Sequence, residues 1–437
     1  MSSSVSTAGV VSFEEARGIV DEHAARVRGA AVESNALETV SLPLARGRVL
    51  AEALVADRDF PPFARATRDG YAVRAADVER GGARLEVIGE IKAGDSGESF
   101  AVGPGQSVSI MTGAPLPTGA DAVVMVEYTA LCGKSVEIHR GVKSGENFVL
   151  RGAEGRAGQV LVERGRRLDH SLIAIAAAVG KSRVQVFRKS RVAVLSTGDE
   201  VVAIDATPGP VQIRNSNSYS LAAQIEEAGG EAVRLAIAPD EPKRLRALIE
   251  EGMACDLLLL TGGVSMGKYD LVEQVLGEIG AEFYFTGARI QPGKPVVFGS
   301  CACGADILVR ADRSSTAGTR TGVSAPRYFF GLPGNPVSTM VTFRLFAQPM
   351  IDALEGARPG PLVFLKARLK ADLRTKTGFT RFLPAVLSGA FENSEVELAA
   401  WQGSGDIAAL ARANCYLVIP PYRERIPAGE LVSVLLP

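Results

Sequence analysis

The residues with the clearest chemical potential lie in three glycine-rich turns. They are Ser196-Thr197-Gly198-Asp199-Glu200, Thr261-Gly262-Gly263-Val264-Ser265-Met266-Gly267 and Gly331-Leu332-Pro333-Gly334-Asn335-Pro336-Val337-Ser338. Each follows a short apolar run that reads as a β-strand. In an open parallel sheet, ligands bind beyond the carboxyl ends of the strands. Glycines there let backbone N–H groups approach an anion, and a following helix N-terminus adds a favourable partial charge. Pro336 fits a first helical position, with Asn335 as the cap before it. One such turn is an ordinary strand-to-helix connection; three together point to an anion site with Thr197, Gly198, Gly262 and Gly263 as candidate contacts. Neither the Walker A pattern nor G-x-G-x-x-G occurs at these turns, which argues against a P-loop enzyme and a Rossmann dehydrogenase.

Charged residues flank the turns. Lys294, in Gln291-Pro292-Gly293-Lys294-Pro295, is either a surface lysine or a fixed cation facing the anion, and its setting among prolines and glycine favours the second. Glu200 ends the first turn, Asp240 stands where a helix should begin, and Asp270 closes the second turn while forming a capping box with Glu273. Carboxylates beside an anion site suit a hard cation such as Mg²⁺ bridging to phosphate. No Ser-His-Asp or Cys-His pairing is evident, so a protein nucleophile is not expected.

The elements that must position these groups follow from hydrophobic period. Over 185–355, runs of four to six apolar residues alternate with longer helical patterns at 217–228, 241–253, 270–279 and 337–354. That alternation predicts a central α/β domain with a mostly parallel sheet covered on both faces. Arg310–Arg327 reads as a polar insertion between two of its strands. Residues 51–150 carry short β-branched runs broken by Gly and Pro, an inserted β-rich module. The flanks, 12–50 and 151–184, both look helical and are expected to pair as one helical linker domain around it. Ser12 with Glu15 makes a capping box there, and His23 on the apolar stripe reads as a core residue. Residues 356–437 read as a small C-terminal β domain. The expected fold is thus multi-domain α/β and β.

Composition bounds the function classes. At about 150 residues per domain, 437 residues predict roughly three domains. Lys plus Arg total 48 against 49 Asp plus Glu, so the net charge of -1 gives no general attraction to nucleic acid or an acidic membrane. The longest apolar run, 171–180, is half the ~20 residues of a membrane span. Five scattered cysteines form no disulfide framework, and with no basic leader visible the chain is expected to be cytoplasmic.

The ordered set of motifs resembles the molybdopterin molybdenumtransferase family, which is similar to the C-terminal domain of gephyrin. The resemblance rests on Asp69-Gly70-Tyr71-Ala72, Met111–Pro115 with Gly119–Val123, the three turns with Asp270, Pro292–Pro295, Gly403-Ser404-Gly405 and Leu410–Asn414. It covers nearly the whole chain in order. It implies insertion of molybdenum from molybdate into adenylylated molybdopterin, with Mg²⁺-assisted release of AMP. It also implies a homodimer whose active cleft lies between the α/β domain of one chain and the β module of the other. Asp69, Thr112, Glu200, Asp240 and Asp270 match the family's catalytic positions. Ser265, Lys294, Pro333, Gly334, Asn335, Pro336, Ser338 and Ser404 match contacts to molybdate and pterin phosphate. Glu154, Glu200 and Asp270 are the carboxylates for Mg²⁺. The adenylyltransferase of the preceding step and receiving molybdoenzymes are the implied protein partners.

Four positions depart from the family pattern. Val149 stands where an Arg is usual, with Arg151 nearby, and Glu154 replaces an Asp. Gln291 replaces the Lys that opens the Pro-Gly-Lys turn, and Gly287 replaces a second Lys, with Arg289 close by in sequence. Two other readings compete with insertion. A molybdopterin adenylyltransferase would consume ATP, whereas a non-catalytic scaffold of the gephyrin kind would have no use for Asp69, Glu200 and Asp270.

Overall fold

The structure, a computed structural model, describes residues 9–34, 36–263, 271–302 and 326–437. Ser265, Asp270 and the insertion expected at Arg310–Arg327, apart from its last two residues, lie outside the described residues.

Alternating apolar strands build a six-stranded central sheet in the order Glu231–Arg234, Arg191–Ser196, Leu257–Thr261, Arg327–Leu332, Val297–Cys301, Ala281–Phe285. The first four run parallel, and the last two join antiparallel at one edge. Ala281–Phe285 was not expected from sequence; its Phe283 and Phe285 pair with Gly299 and Phe298, with an irregularity at Tyr284 between them. Period-2 alternation sorts the side chains into two layers. Val192, Val194, Leu257 and Leu259 share a core with residues of helices Phe13–Ser34 and Asn217–Glu227. Ala193, Leu195, Leu258 and Leu260 face residues of helices Pro242–Gly252 and Leu271–Glu278.

Helix Phe13–Ser34 begins on its capping box: the Ser12 N–H donates to Glu15 Oε2 at 2.8 Å and the Glu15 N–H to Ser12 Oγ at 3.1 Å. Its stripe of Ala16, Val20 and Ala24 packs into the α/β core and does not join helix His170–Ala178. This corrects the expected helix pairing. The sheet offers a broad apolar face, whereas His170–Ala178 is only nine residues long. The two flanks of the β module are joined instead by antiparallel strands, Leu37–Ser41 with Arg183–Phe187, over a core including Leu54, Leu172 and Val184. His23 is a core residue, stacked on Tyr284 at 4.0 Å with Nδ1 3.2 Å from Tyr328 Oη.

The helix expected at 337–354 is α-helical over Pro336–Thr342, π-helical over Phe343–Ala347 and α-helical again over Gln348–Leu354. Pro349 has no N–H to offer the Leu345 carbonyl four residues earlier. Arg17 satisfies that carbonyl, donating from Nη1 at 3.1 Å.

Within 51–150 a second six-stranded sheet runs Ala122–Met125, Gly70–Val73, Gln106–Ile110, Ala83–Ile91, Ser135–Ile138, Thr129–Cys132. Gly70 is dictated by close approach, since a Cβ there would lie 1.8 Å from the Val124 carbonyl oxygen. Toward the C-terminus, Thr380–Ala390 pairs with both Asn393–Leu398 and Cys415–Ile419, and Phe364–Leu369 with Leu431–Leu435 closes a five-stranded ring. Closure removes most free strand edges from this small domain, leaving the start of Thr380–Ala390 open on the side of Asn393–Leu398. One further strand, Ile290–Gln291, adds to it at Thr380 and Arg381. Among the described residues, no helix is long and apolar enough to cross a membrane.

Candidate active site

Chain order in the central sheet reverses at Arg191–Ser196, whose neighbours Glu231–Arg234 and Leu257–Thr261 come later in the chain and lie on opposite sides of it. Such a reversal opens a crevice at the carboxyl ends of the strands. Here the three glycine-rich turns wall a cavity of about 620 Å³, lined by Thr197, Glu200, Gly262, Gly263, Gly334 and Pro336 among others.

The turns use their glycines for close approach more than for anion contact. Gly262 has φ +91°, and a Cβ there would stand 2.6 Å from the Thr197 carbonyl oxygen. Backbone N–H groups expected to face an anion are committed within the fold. Thr197 N–H donates to Thr261 O, Gly198 N–H to Ala238 O and Gly262 N–H to Leu332 O. This corrects the sequence reading for those three groups: parallel-strand and turn pairing takes them before a ligand can. Gly198, at φ +126°, leaves room for the Glu200 carboxylate, which lies 2.4 Å from where a Cβ would be.

Asn217, missed in the sequence, ties two turns together. Its Nδ2 donates to Thr261 Oγ1 at 2.9 Å and to the Gly334 carbonyl at 2.6 Å. The only local signal is the polar run Arg214-Asn215-Ser216-Asn217 at a helix start. Asn217 Oδ1 and Thr197 Oγ1 are buried in the same wall without hydrogen-bond partners. Together with the Glu200 carboxylate they are oxygen donors of the kind a hard cation takes.

A second cavity of about 670 Å³ shares Pro295, Pro333 and Asn335 with the first. Lys294, Lys376 and Arg381 line it, with Ser338, Trp401 and Ser404, and among the described residues no carboxylate does. The strand Ile290–Gln291 holds the Lys294 turn against the C-terminal domain, whose Thr380–Ala390 strand carries Arg381. Arg381 donates from Nη2 to the Lys376 carbonyl, while its buried Nε has no partner and burial lowers its pKa. Lys376, Arg381 and Trp401 were not singled out from sequence, because only the folded C-terminal domain brings them beside Lys294.

Asn335 corrects another expectation. It occupies the cap position, but its side chain makes no cap bond; Nδ2 donates to Ser404 Oγ at 2.8 Å. The Ser404 carbonyl in turn accepts from the Val337 N–H at 3.0 Å. The Gly403-Ser404-Gly405 turn therefore docks on the Pro333–Pro336 turn.

Asp69, Thr112, Glu154 and Asp240 line neither cavity. Asp69 Oδ1 accepts from the Thr112 N–H at 2.6 Å, and bonding to Thr112 holds its carboxyl below the ordinary value. Glu154 pairs with Arg65 at 2.9 Å, away from the cavity that Glu200 lines. Asp240 is not a helix cap: Pro242–Gly252 starts after Glu241, and the Asp240 N–H donates to Asp199 Oδ1 at 3.1 Å. Of the departures, Arg151 pairs with Asp59 at 2.7 Å, and Arg289 lines neither cavity but lies near Glu15. Gly287 is enclosed, with a Cβ placed 3.0 Å from Val10 Cγ2 and 3.3 Å from the Lys294 carbonyl. Ser265 and Asp270 lie outside the described residues.

Comparison with known proteins covers nearly all of this architecture. Residues 11–180 match the family described as MoeA N-terminal region (domain I and II). Residues 193–353 match a probable molybdopterin binding domain, and 366–436 the MoeA C-terminal region (domain IV). A molybdopterin molybdenumtransferase of Nostoc sp. is 37% identical over 408 residues, covering 91% of this chain and 88% of the relative. One of Bacillus subtilis is 33% identical over 411 residues, covering 91% and 89%. A solved molybdopterin biosynthesis moeA protein of Pyrococcus horikoshii aligns with TM-score 0.71 at 28% identity, covering 98% of this chain and all of that one.

Proposed function

The chain belongs to the molybdopterin molybdenumtransferase family, and on that premise we propose that it inserts molybdenum from molybdate into adenylylated molybdopterin with Mg²⁺-dependent release of AMP. It is a transferase of molybdenum cofactor biosynthesis. The observation that carries the finer reading is the pair of cavities joined at Pro295, Pro333 and Asn335. One bears the Glu200 carboxylate with a single cation, Arg214; the other bears three cations and, among the described residues, no carboxylate.

That division suits a substrate with two charged ends. In the cationic half, Lys294, Lys376 and Arg381 attract an oxyanion or a pterin phosphate, and Arg381 brings a buried, unpartnered Nε. In the other half, Asn217 holds the second and third turns at a set spacing. Glu200, with the unpartnered oxygens of Thr197 and Asn217, would hold Mg²⁺, which when bound offsets phosphate charge. Positioning and electrostatic stabilisation are the contributions this wall is built to make. Asp69, Thr112 and Glu154 reach neither cavity of their own chain, which supports a homodimer in which the β module of one protomer completes the cleft of the other. The α/β, inserted β, linker and C-terminal domains would then act as four units in a cytoplasmic enzyme.

The purified protein, given adenylylated molybdopterin, molybdate and Mg²⁺, is expected to release AMP without consuming ATP. Glu200→Gln is expected to slow that release by about 10²-fold while pterin binding persists. ATP consumption would support an adenylyltransferase. No release of AMP with retained binding of protein segments would support a gephyrin-like scaffold.

A further inference from the structure

A third cavity, about 470 Å³, shares no lining residue with the two just described. It lies where helix Phe13–Ser34, the turn at Gly165, helix Gln348–Leu354 and the connector 357–363 meet. Six arginines line it: Arg17, Arg28, Arg166, Arg167, Arg344 and Arg358. Among the described residues, the carboxylates in the lining are Asp21 and Asp352, and both are already engaged, Asp21 by Arg17 at 2.9 Å and Asp352 by Arg167 at 2.7 Å.

The remaining arginines are under-compensated. Among the described residues, no carboxylate lies within ion-pair distance of Arg28, Arg166 or Arg344, and Arg358 has only exposed Glu163 at 3.8 Å. Arg344 spans the wall through one bond to Gln348, and its buried Nε has no partner. Arg28 and Arg358 are steered by backbone carbonyls, Nε of each donating to Ala357 and Arg164 respectively. Such bonds fix the guanidinium planes without neutralising them. Positive charge gathered in a partly enclosed space is unfavourable unless an anion joins it. Planar guanidinium forks match phosphate oxygens in pairs.

We propose that this cavity is a binding site for a small organic phosphate, separate from the molybdenum-transfer cleft. Its volume is in the range of pockets that hold whole metabolites, about 300–1,000 Å³. Arg28, Arg166 and Arg344 grip the phosphate, and the apolar connector Pro359-Gly360-Pro361-Leu362 takes the carbon skeleton. Because the lining comes from three stretches far apart in sequence, the ligand bridges the α/β core and the linker segment.

Titration calorimetry on the full-length protein tests this, with ribose 5-phosphate and inorganic phosphate as probes. Lys294→Ala, which weakens the transfer cleft, is expected to leave ribose 5-phosphate binding in place. Adding Arg166→Gln and Arg344→Gln to it is expected to weaken that binding at least tenfold. Should Arg344→Gln fail to fold, Arg28→Gln with Arg166→Gln gives the same readout from residues nearer the surface. The proposal is overturned if Lys294→Ala alone abolishes binding, or if the arginine variants bind as tightly as Lys294→Ala. It is also overturned if ribose 5-phosphate binds no more tightly than inorganic phosphate.

Discussion

Replacing Asn217 separates the framework of the transfer cleft from its charge. The amide donates twice, to Thr261 Oγ1 at 2.9 Å and to the Gly334 carbonyl at 2.6 Å. Each net hydrogen bond is worth about 0.5–1.5 kcal/mol, so Asn217→Ala should cost about 1–3 kcal/mol of local stability. The cost falls on the spacing between the second and third turns, and about 1.4 kcal/mol corresponds to tenfold in an equilibrium. Asn217→Ala is therefore expected to lower turnover about 10–100-fold through misplaced turns. Asn217→Asp keeps the shape but cannot donate to the Gly334 carbonyl when ionised, and it adds negative charge to the wall that already bears Glu200. It is expected to be the poorer enzyme of the two, with weaker pterin binding that recovers partly at high salt. The assay is AMP release at saturating molybdate and Mg²⁺, paired with calorimetric pterin affinity. Near-parental turnover by Asn217→Asp would refute the idea that donation to Gly334 organises the site.

Lys294→Ala should lose roughly 1.5–3 kcal/mol of binding to molybdate or pterin phosphate, as expected for a bond to a charged group, with the unfolding temperature unchanged. Direct titration checks it, and equal affinity would make Lys294 a surface lysine. Asp256 gives a pH test. Burial raises its pKa, but the Arg188 fork at 2.7 and 2.8 Å, the Arg191 N–H and Arg327 outweigh that and hold the carboxyl below its ordinary value. A depressed folded value means its stabilisation is complete above the ordinary carboxylate range and is lost as pH falls through the folded value. Asp256→Asn should thus be less stable at neutral pH by about 1–3 kcal/mol, discounted for half-exposed Arg188, and show a flatter loss below about pH 4 in thermal unfolding.

The two halves of the cleft differ in how they are held. The first wall is built from turns of one sheet, so its geometry follows from strand register. The second depends on Ile290–Gln291 joining the C-terminal ring and on Asn335 bonding Ser404. A change at that junction alters the relation of Lys294 to Arg381 without disturbing the central sheet.

Much of this protein is written in short-range pattern. Alternation of Val192, Ala193, Val194 and Leu195 between two layers, the Ser12–Glu15 box and the three strand-end turns all depend on residues a few positions apart. Such spacing is set by the periods of strand and helix, so sequence alone determined the α/β core and the location of its crevice. The rest depended on which distant segments meet. Phe13–Ser34 reads as an amphipathic helix, but only the folded sheet decides that its stripe goes there and not to His170–Ala178. The amides of Thr197, Gly198 and Gly262 look available until register pairs them internally. Lys376 and Arg381 carry no local signature and Asn217 only a short polar run, because what makes them site residues is a cavity neighbour tens of residues or more away. Hydrogen-bond geometry is satisfied over a few ångströms in space, and chain separation does not encode it.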